Sequence, residues 1–460
     1  MSNIPEILKN CALSTTTAGE TYTEVIEPVT FSDTGQCRFT LKNEGILNHA
    51  SKLVLGVDTN ASVARAFFPP NVGIGSLIKR ATLSIGSKTI CETDDWNHLQ
   101  AMKSVFISNQ NNKEREVYMS GRCINHEFCY ETSSASSASN SNSEASNYTL
   151  SYGKYPTVTG LAQATQVKSF QLAANKPTFM IDMRDLFSFF RAGHNLPLYL
   201  MDESIHIDLT FEQDPFRMSL AENSASNVFG KSFPILRTEC KILQDIIIYD
   251  GNVMEELRNS HKDISFTYSD YQLTKTSVTQ AQARNVTRNL GGAGRMVTDV
   301  IWQLTDEGNA SVLSDASLLN KYKSLSPDGT GTMTSNIKFN DEFVYPLDQT
   351  NFGKHFHNLM KSEGGIPYVS RDEYSNQGVG LAGSAKATFE AYNPSTQLGE
   401  SFFYNGVKIP GNDRINSVGL QLIVQYNDIP AVVGNTVLRA WIAVMKTVQI
   451  KDGITDVYFV

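Results

Sequence analysis

Three soft or borderline metal ligands lie close together in the segment Cys123-x-x-His126-x-x-Cys129. Thiolate and imidazole groups are ligands that Zn²⁺ prefers, and a tetrahedral structural site needs four of them. The sequence has no second cluster at zinc-finger spacing. In a strand, His126 would also point to the opposite face from both cysteines. The pattern therefore favours ordinary strand residues over a zinc site.

A second candidate metal site consists of His355, His357 and Glu363. Cupins, which are also double-stranded β folds, use such a histidine pair and glutamate, with both histidines on one strand face. The surrounding apolar residues instead follow a helical period, at Phe352, Phe356, Leu359 and Met360. In a helix, positions i and i+2 point about 200° apart. We predict no metal ligands here, and keep a two-domain cupin-like metalloprotein as the enzyme alternative.

A glycine-rich GxGxxG match covers residues 378–383. It follows the polar run SRDEYSNQ and precedes ATFEAY, whereas a dinucleotide site needs a strand before the glycines and a helix after them. The sequence contains no GxSxG elbow, Walker loop or paired catalytic carboxylates with a supporting context. We therefore predict a protein that is not an enzyme, with no catalytic residues, no cofactor and no bound metal.

Length and charge favour two globular domains without a nucleic-acid-binding arm. The chain has 460 residues, of which 41% are hydrophobic and 19% charged, and single cores rarely grow past roughly 250 to 300 residues. Lys and Arg number 39 against 47 Asp and Glu, a formal net charge of −8. Proteins that bind nucleic acid through its phosphates need clustered Lys and Arg. Direct, sequence-specific binding of nucleic acid is therefore not expected.

The N-terminus and the cysteines point away from secretion. The start MSNIPEILKNCALSTTT lacks a charged segment followed by an apolar one, and no eighteen apolar residues run together. We expect neither secretion nor a membrane span. The six cysteines are scattered, as is typical of reduced thiols that act as small hydrophobic residues: Cys11, Cys37, Cys91, Cys123, Cys129 and Cys240.

One ten-residue phrase occurs twice, as SFFRAGHNLP at 188–197 and SFFYNGVKIP at 401–410. Each copy precedes a segment of alternating apolar and polar residues, at 205–211 and 418–426, which predicts a strand with one wet face. Each copy also follows a strand-then-helix pattern. The duplication predicts two homologous β domains.

The repeated phrase supplies most of the residues to which we assign structural roles. Gly193 and Gly406 are predicted to end a helix in the left-handed conformation, with a proline four residues later. The aromatic pairs are predicted to anchor the cores, and a tryptophan lies on the apolar face of the helix upstream. The remaining residues of this set are Phe189, Phe190, Pro197, Phe402, Phe403, Pro410 and Trp96.

A predicted linker helix at 251–262 marks the domain boundary, with an N-terminal arm at 1–20, a first domain at 21–250, and a second domain with a C-terminal tail at 263–460. Asn252 is predicted to cap the linker helix, with Glu255 at its third position. The Ser-rich segment 133–146 lacks large apolar residues, which predicts an exposed loop. A second long loop is predicted at 305–336.

Three segments resemble the double jelly-roll major capsid proteins of Polinton-like viruses, virophages and related large DNA viruses. They are FFPPNVGIGSLIKRATLSIGSKTI, WNHLQAMKSVFISNQNNKERE and SFFRAGHNLPLYLMDESIHIDLTF. The resemblance is strongest over 67–214 and parallel but weaker over 339–450. It implies an all-β fold of two tandem eight-stranded jelly rolls with short helices in loops.

The resemblance also implies a function. A homotrimer would form a capsomer of pseudo-sixfold outline, and capsomers would assemble inside the host cell into the icosahedral shell of a virion around double-stranded DNA. Minor capsid and penton proteins are the other expected partners, and contact with an internal membrane stays open. A jelly-roll glycan-binding protein is a further alternative, which predicts sugar affinity without higher assembly.

Overall fold

The computed structural model describes residues 19–33, 35–57, 65–67, 72–100, 119–120, 178–214, 220–222, 228–230, 234–260, 262–278, 285–306, 333–344, 405–409, 414–416, 419–426 and 436–460. Within these residues antiparallel β-strands prevail, and they form two pairs of sheets, one after the other along the chain.

Within the described residues, the first jelly roll consists of two large sheets and one small sheet, with thirteen strands in total. In chain order they are β1 (Glu20–Ile26), β2 (Thr30–Phe31), β3 (Gln36–Leu41), β4 (Ile46–Leu47), β5 (Lys52–Gly56), β6 (Arg65–Phe67), β7 (Ile78–Ile85), β8 (Lys88–Thr93), β9 (Thr178–Asp182), β10 (Ile205–Phe211), β11 (Leu220–Glu222), β12 (Val228–Gly230) and β13 (Lys241–Ile248). One sheet has the order β1-β13-β5-β9 and the other β2-β3-β10-β7-β8. The small strands β6, β11 and β12 form a separate three-stranded sheet, and β4 pairs with β13.

Alternating side chains explain why these strands form a two-layer core. In β10, Ile207 pairs with Phe39 on one side and Leu83 on the other, and all three are buried. The polar residues between the buried positions of β10 are half-exposed. Since successive side chains of a strand point to opposite faces, one face of the sheet packs inward and the other meets solvent.

The second pair of sheets, called the second jelly roll, contains nine strands within the described residues. They are β14 (Asp263–Val278), β15 (Asn285–Gly291), β16 (Val297–Asp306), β17 (Met333–Phe339), β18 (Glu342–Phe343), β19 (Asn405–Lys408), β20 (Leu420–Tyr426), β21 (Thr436–Lys451) and β22 (Ile454–Phe459). One sheet has the order β14-β21-β16-β19, with β22 also paired to β21, and the other β15-β20-β17-β18.

The two jelly rolls share one topology. Four strands per sheet correspond in order: β1-β13-β5-β9 matches β14-β21-β16-β19, and β3-β10-β7-β8 matches β15-β20-β17-β18. In each, the first strand pairs with the last strand of the eight, although they lie far apart in sequence. This arrangement confirms the predicted all-β fold with two eight-stranded jelly rolls.

Short helices occupy the connections. They span Met183–Leu186, Ser188–Arg191 and Gly251–Ser260, with 3₁₀ turns at Gly73–Leu77, Leu198–Leu200 and Arg237–Glu239; residues 96–100 are also helical. The helix between the jelly rolls starts one residue before the predicted cap, so the prediction for Asn252 is wrong. The Met254 amide donates to the carbonyl of Asp250 at 2.9 Å, which places Asp250 at the start of the helix.

The repeated phrase differs in structure where both copies are described, at residues 192–195 and 405–408. Residues 192–195 of the first copy follow the helix Ser188–Arg191 and belong to no strand, whereas the equivalent residues 405–408 of the second copy form strand β19, the counterpart of β9. The alternating strands after the phrase, β10 and β20, do occupy equivalent central positions. The prediction of equivalent strands is therefore confirmed. The two copies of the phrase, however, do not occupy equivalent places, because the first copy begins after β9 and the second contains the counterpart of β9.

The two glycines of the phrase differ accordingly. Gly193 has a φ of +83°, and its amide donates to the Phe190 carbonyl at 2.9 Å, just after the helix Ser188–Arg191. Gly406 instead lies in β19 and pairs with Ile301. The predicted helix stop at Gly406 is wrong, because the chain is already extended there.

Gly193→Val should lower the free energy of unfolding by about 1 kcal/mol or more, because a β-branched residue is strained at positive φ. A Cβ at Gly193 would meet no atom within 4 Å, so the backbone alone is tested. Gly251→Val is the matched control, since that site is equally open and has no positive φ. Equal urea-denaturation midpoints for the two variants would refute this explanation.

Candidate functional site at the seam between the jelly rolls

An aromatic cluster joins the two jelly rolls along an interface that we call the seam. Phe189 lies with its ring centroid 5.3 Å from that of Phe266 and 5.4 Å from that of Tyr268, both on β14. The His194 ring lies tilted against Phe266, with the ring centroids 5.3 Å apart, and His194 Nε2 donates to the Thr267 carbonyl at 3.0 Å. Edge-to-face aromatic contacts stabilise beyond their buried area, so this cluster fixes the helix of the first jelly roll on a strand of the second.

A buried ion pair lies beside the aromatic cluster. Asp270 of β14 accepts from Lys446 Nζ at 2.5 Å and from Ser188 Oγ at 2.9 Å. Lys446 Nζ also donates to the Ile90 carbonyl at 3.3 Å, and Tyr268 donates to the same oxygen at 2.7 Å. The carboxylate and the ammonium of the second jelly roll are thus hydrogen-bonded to two elements of the first.

Burial shifts the protonation equilibria in this part of the seam. Burial raises the pKa of the Asp270 carboxyl above its ordinary value, while the Lys446 charge opposes that shift. Burial likewise raises the pKa of the Tyr268 hydroxyl, with the nearby Cys91 and Asp270 acting in the same direction. Since desolvation disfavours the charged form of an acid, the tyrosine stays a neutral hydrogen-bond donor.

A second buried charge crosses the seam further along the same strands. Asp95, which precedes the helical residues 96–100, accepts from Arg439 Nε at 2.8 Å and from Lys275 Nζ at 3.3 Å. Asp95 and Arg439 are buried. Trp441 Nε1 donates to the Asp94 carbonyl at 3.3 Å. A carboxylate of the first jelly roll is therefore held by two cations of the second.

The turn between β21 and β22 closes the seam at its outer edge. The Asp202 amide donates to the Gly453 carbonyl at 3.2 Å, and the Thr455 amide donates to Glu203 Oε2 at 3.2 Å. A Cβ at Gly453 would clash with the Asp202 carboxylate. Gly453 also has a φ of +81°, a left-handed conformation that favours glycine.

The seam is built to hold two domains in one orientation. Its charges are met by partners of opposite charge from within the chain, and breaking a buried pair is costly because it leaves an uncompensated charge. Interfaces between domains of one chain often permit motion. An interface with buried aromatic rings and buried ion pairs instead favours a rigid two-domain unit.

The seam residues were missed by the sequence analysis, except Phe189. Asp270 follows Phe266 and Tyr268 at alternate positions of one strand, so it falls on an apolar face. Arg439 and Lys446 similarly interrupt the apolar run VLRAWIAVMKTVQI. A charge on a buried face indicates a buried pair, but the partners lie far away in sequence and no local pattern identifies them.

The other residues with predicted structural roles are placed as follows. Phe190 and Trp96 are buried, and Trp96 Nε1 donates to the Asp185 carbonyl at 3.1 Å. Pro197 precedes the 3₁₀ turn Leu198–Leu200. The residues of this set that lie outside the described part of the chain are Phe402, Phe403 and Pro410.

The candidate metal clusters of the sequence also lie outside the described residues, as do the GxGxxG match and the Ser-rich loop. In the part of the chain that the structure describes, no three His, Cys, Asp or Glu residues form a group able to hold a metal ion. The described helices are too short or too polar to cross a lipid bilayer. Of the loop predicted at 305–336, both described ends belong to strands β16 and β17.

Several solved structures of viral capsid proteins are similar to this chain over nearly its whole length. A chain of the PBCV-1 virus capsid aligns over 97% of this chain and 98% of its own length, with a TM-score of 0.51 and 12% identity. The Faustovirus major capsid protein aligns over 94% and 91%, with a TM-score of 0.50 and 8% identity. The chain has the fold of these capsid proteins. A chain of the Sputnik virophage has this fold too, with a TM-score of 0.55 and 10% identity over 96% of this chain and 88% of its own.

The similarity of fold is not accompanied by a match at the level of sequence. No protein-family model matches the chain, and a search of curated proteins gives no match. The similarity to the capsid proteins is therefore a similarity of fold, carried by strand order over nearly the whole chain at 12% identity or below.

Proposed function

We propose that this chain is a viral major capsid protein, which assembles as homotrimers of pseudo-hexameric outline into an icosahedral shell around a double-stranded DNA genome. The observation that carries the proposal is the pair of jelly rolls with the same strand order, fixed to each other by a buried seam. The fold of the PBCV-1 capsid and of the Faustovirus major capsid protein supports it.

A trimer of chains with two jelly rolls each would have a hexagonal outline. Three chains with two similar domains each present six similar walls, which can tile a lattice that requires sixfold contacts. Closed threefold symmetry needs one set of head-to-tail contacts between the first jelly roll of one chain and the second jelly roll of the next. A rigid seam matters for this role, because a flexible joint would vary the outline from one capsomer to the next.

Exposed apolar side chains on both jelly rolls support contacts between copies. Val25 of β1 and Val29 after it are exposed on the first jelly roll, and Ile454 and Tyr458 of β22 are exposed on the second. Strand β1 also lies at the edge of its sheet. Exposed apolar groups beside an unpaired strand edge are typical of surfaces that bind another chain.

The proposed role is structural and not catalytic. The protein would be located in the virion after assembly inside the host cell, with minor capsid and penton proteins as further partners. A net charge of −8 does not favour direct binding to phosphates. The genome would therefore be enclosed by the shell without sequence-specific contacts to this chain.

Light scattering coupled to gel filtration tests the proposal on the purified chain. We expect three times the mass of one chain, with contacts that bury roughly 2,000 Å² or more, as in obligate assemblies. Deleting residues 133–146 and closing the gap with a short Gly-Ser linker should leave the trimer intact, because that segment has almost no apolar surface.

The deletion variant distinguishes two possible sets of subunit contacts in the trimer. A trimer in both proteins supports contacts made by the jelly-roll walls. Loss of the trimer only in the deletion variant would place the Ser-rich segment in a subunit contact. A stable, folded monomer of the full chain at micromolar concentration would contradict the proposed assembly.

A further inference from the structure

Two buried cysteines meet inside the first jelly roll. The sulfur atoms of Cys37 and Cys240 lie 3.7 Å apart, and both side chains are buried. Cys37 belongs to β3, in one sheet, whereas Cys240 immediately precedes β13, in the other. The contact between the two sulfur atoms therefore connects the two sheets of one domain.

We propose that Cys37 and Cys240 form a disulfide that joins the two sheets of the first jelly roll under oxidising conditions. A disulfide places its sulfurs about 2.05 Å apart, so they must approach by about 1.7 Å from the 3.7 Å of the thiol pair. Rotation about the two Cα–Cβ bonds moves sulfur atoms by that distance. Of the described cysteines, Cys91 is the third, and it lies at the seam beside Tyr268.

The chemistry is thiol–disulfide exchange with a small disulfide such as oxidised glutathione. One cysteine sulfur attacks the oxidant, releases one reduced glutathione and forms a mixed disulfide; the second cysteine then displaces the other glutathione. The protein loses two hydrogen atoms, and the oxidant is reduced to two thiols. No other reactant is needed.

The protein environment sets the rate of this reaction. Hydrogen bonding between the two thiols and their burial raise the pKa of Cys37 well above its ordinary value, and the thiolate is the reacting species. Exchange therefore requires a transient opening of the core. The same burial protects the disulfide once it has formed, because a reductant must reach the same sulfurs.

The disulfide would close a loop that contains most of the first jelly roll, from β3 to β13. Cross-links across long loops stabilise proteins chiefly by restricting the unfolded chain. The timing of the cross-link rests on the proposed function. The thiols would stay reduced during assembly in the host cell, and the disulfide would form after the virion leaves that reducing compartment.

Intact mass and thiol counting test the proposal on the full chain. The protein is incubated with oxidised glutathione at pH 8, with or without 1 M urea to favour opening, then unfolded and its free thiols are counted. We expect a fall from the six cysteines of the sequence to four, a mass loss of about two hydrogen atoms, and a Cys37–Cys240 peptide in the digest. The melting temperature of the oxidised protein should rise by roughly 5–15 °C.

Three variants serve as controls. Cys37→Ala and Cys240→Ala should abolish both the cross-link and the rise in melting temperature, whereas Cys91→Ala should retain them. Six thiols in the wild-type protein after oxidation with urea, or a cross-link between other cysteines, would overturn the proposal. The thiol count does not depend on assembly. A trimer without the disulfide would reject the proposed disulfide alone, whereas a monomer with the disulfide would reject only the proposed capsid function.

Discussion

Lys446→Met should lower the free energy of unfolding by about 3–5 kcal/mol, because it leaves the Asp270 carboxylate buried without its counter-charge. The two side chains are 7% and 1% exposed, so water cannot replace the lost ammonium. The variant also loses the hydrogen bond from Lys446 to the Ile90 carbonyl across the seam. Chemical denaturation followed by tryptophan fluorescence measures the effect.

The matched control breaks an ion pair of similar geometry at the surface. Arg38 Nε lies 2.6 Å from Asp208 Oδ1, with the side chains 50% and 32% exposed. Arg38→Met should cost less than about 1 kcal/mol, because solvent screens such pairs. Equal losses in the two variants would show that the Asp270 carboxylate is not desolvated in the native protein.

The pH dependence of the Lys446→Met variant gives a second readout. Burial already raises the pKa of Asp270 in the native protein, and removal of the cation raises it further. A carboxyl with a raised folded pKa stabilises fully below its unfolded pKa, and that stability is lost as pH rises through the folded pKa. The variant should therefore recover part of its deficit as pH falls from 8 towards 5. A deficit that grows on acidification would contradict the assignment.

Phe189→Ala should destabilise the protein by about 3–5 kcal/mol and disrupt the trimer, because it removes a fully buried ring at the seam. The Phe189 ring contacts Phe190 and His194 in its own domain and β14 in the other. Both jelly rolls should therefore lose stability. Calorimetry should show a melting temperature lower by roughly 5–15 °C.

Phe343→Ala is the control for the loss of a phenyl ring. Phe343 lies in β18 and is 51% exposed, so its replacement should change stability by less than about 1 kcal/mol. A trimer that survives Phe189→Ala with an unchanged melting temperature would show that the aromatic cluster does not hold the seam together.

Local patterns predicted the strands well where one face is buried and the other is wet. Strand β10 alternates between buried and half-exposed residues over Ile205–Phe211, as its sequence predicts. The alternating segment 418–426 likewise contains strand β20, Leu420–Tyr426. These strands are predictable because the alternation is contained within each segment and needs no knowledge of the partner strand.

The repeated phrase was misleading because similarity of residues does not require similarity of conformation. In the first copy Gly193 follows a helix and has a positive φ, whereas in the second Gly406 belongs to a strand. The seam charges could not be paired from sequence either, since Asp95 and Arg439 are 344 positions apart. Tertiary structure decides which distant charges meet.

Electron microscopy of the purified, unmodified chain tests the central claim most directly. Two matched jelly rolls locked by the seam predict particles of threefold symmetry with a hexagonal outline, in which six barrel-shaped densities surround the axis. Class averages with six such densities would agree with the proposed capsomer. Uniform particles containing one pair of barrels, or rings with a number of barrels other than six, would contradict it.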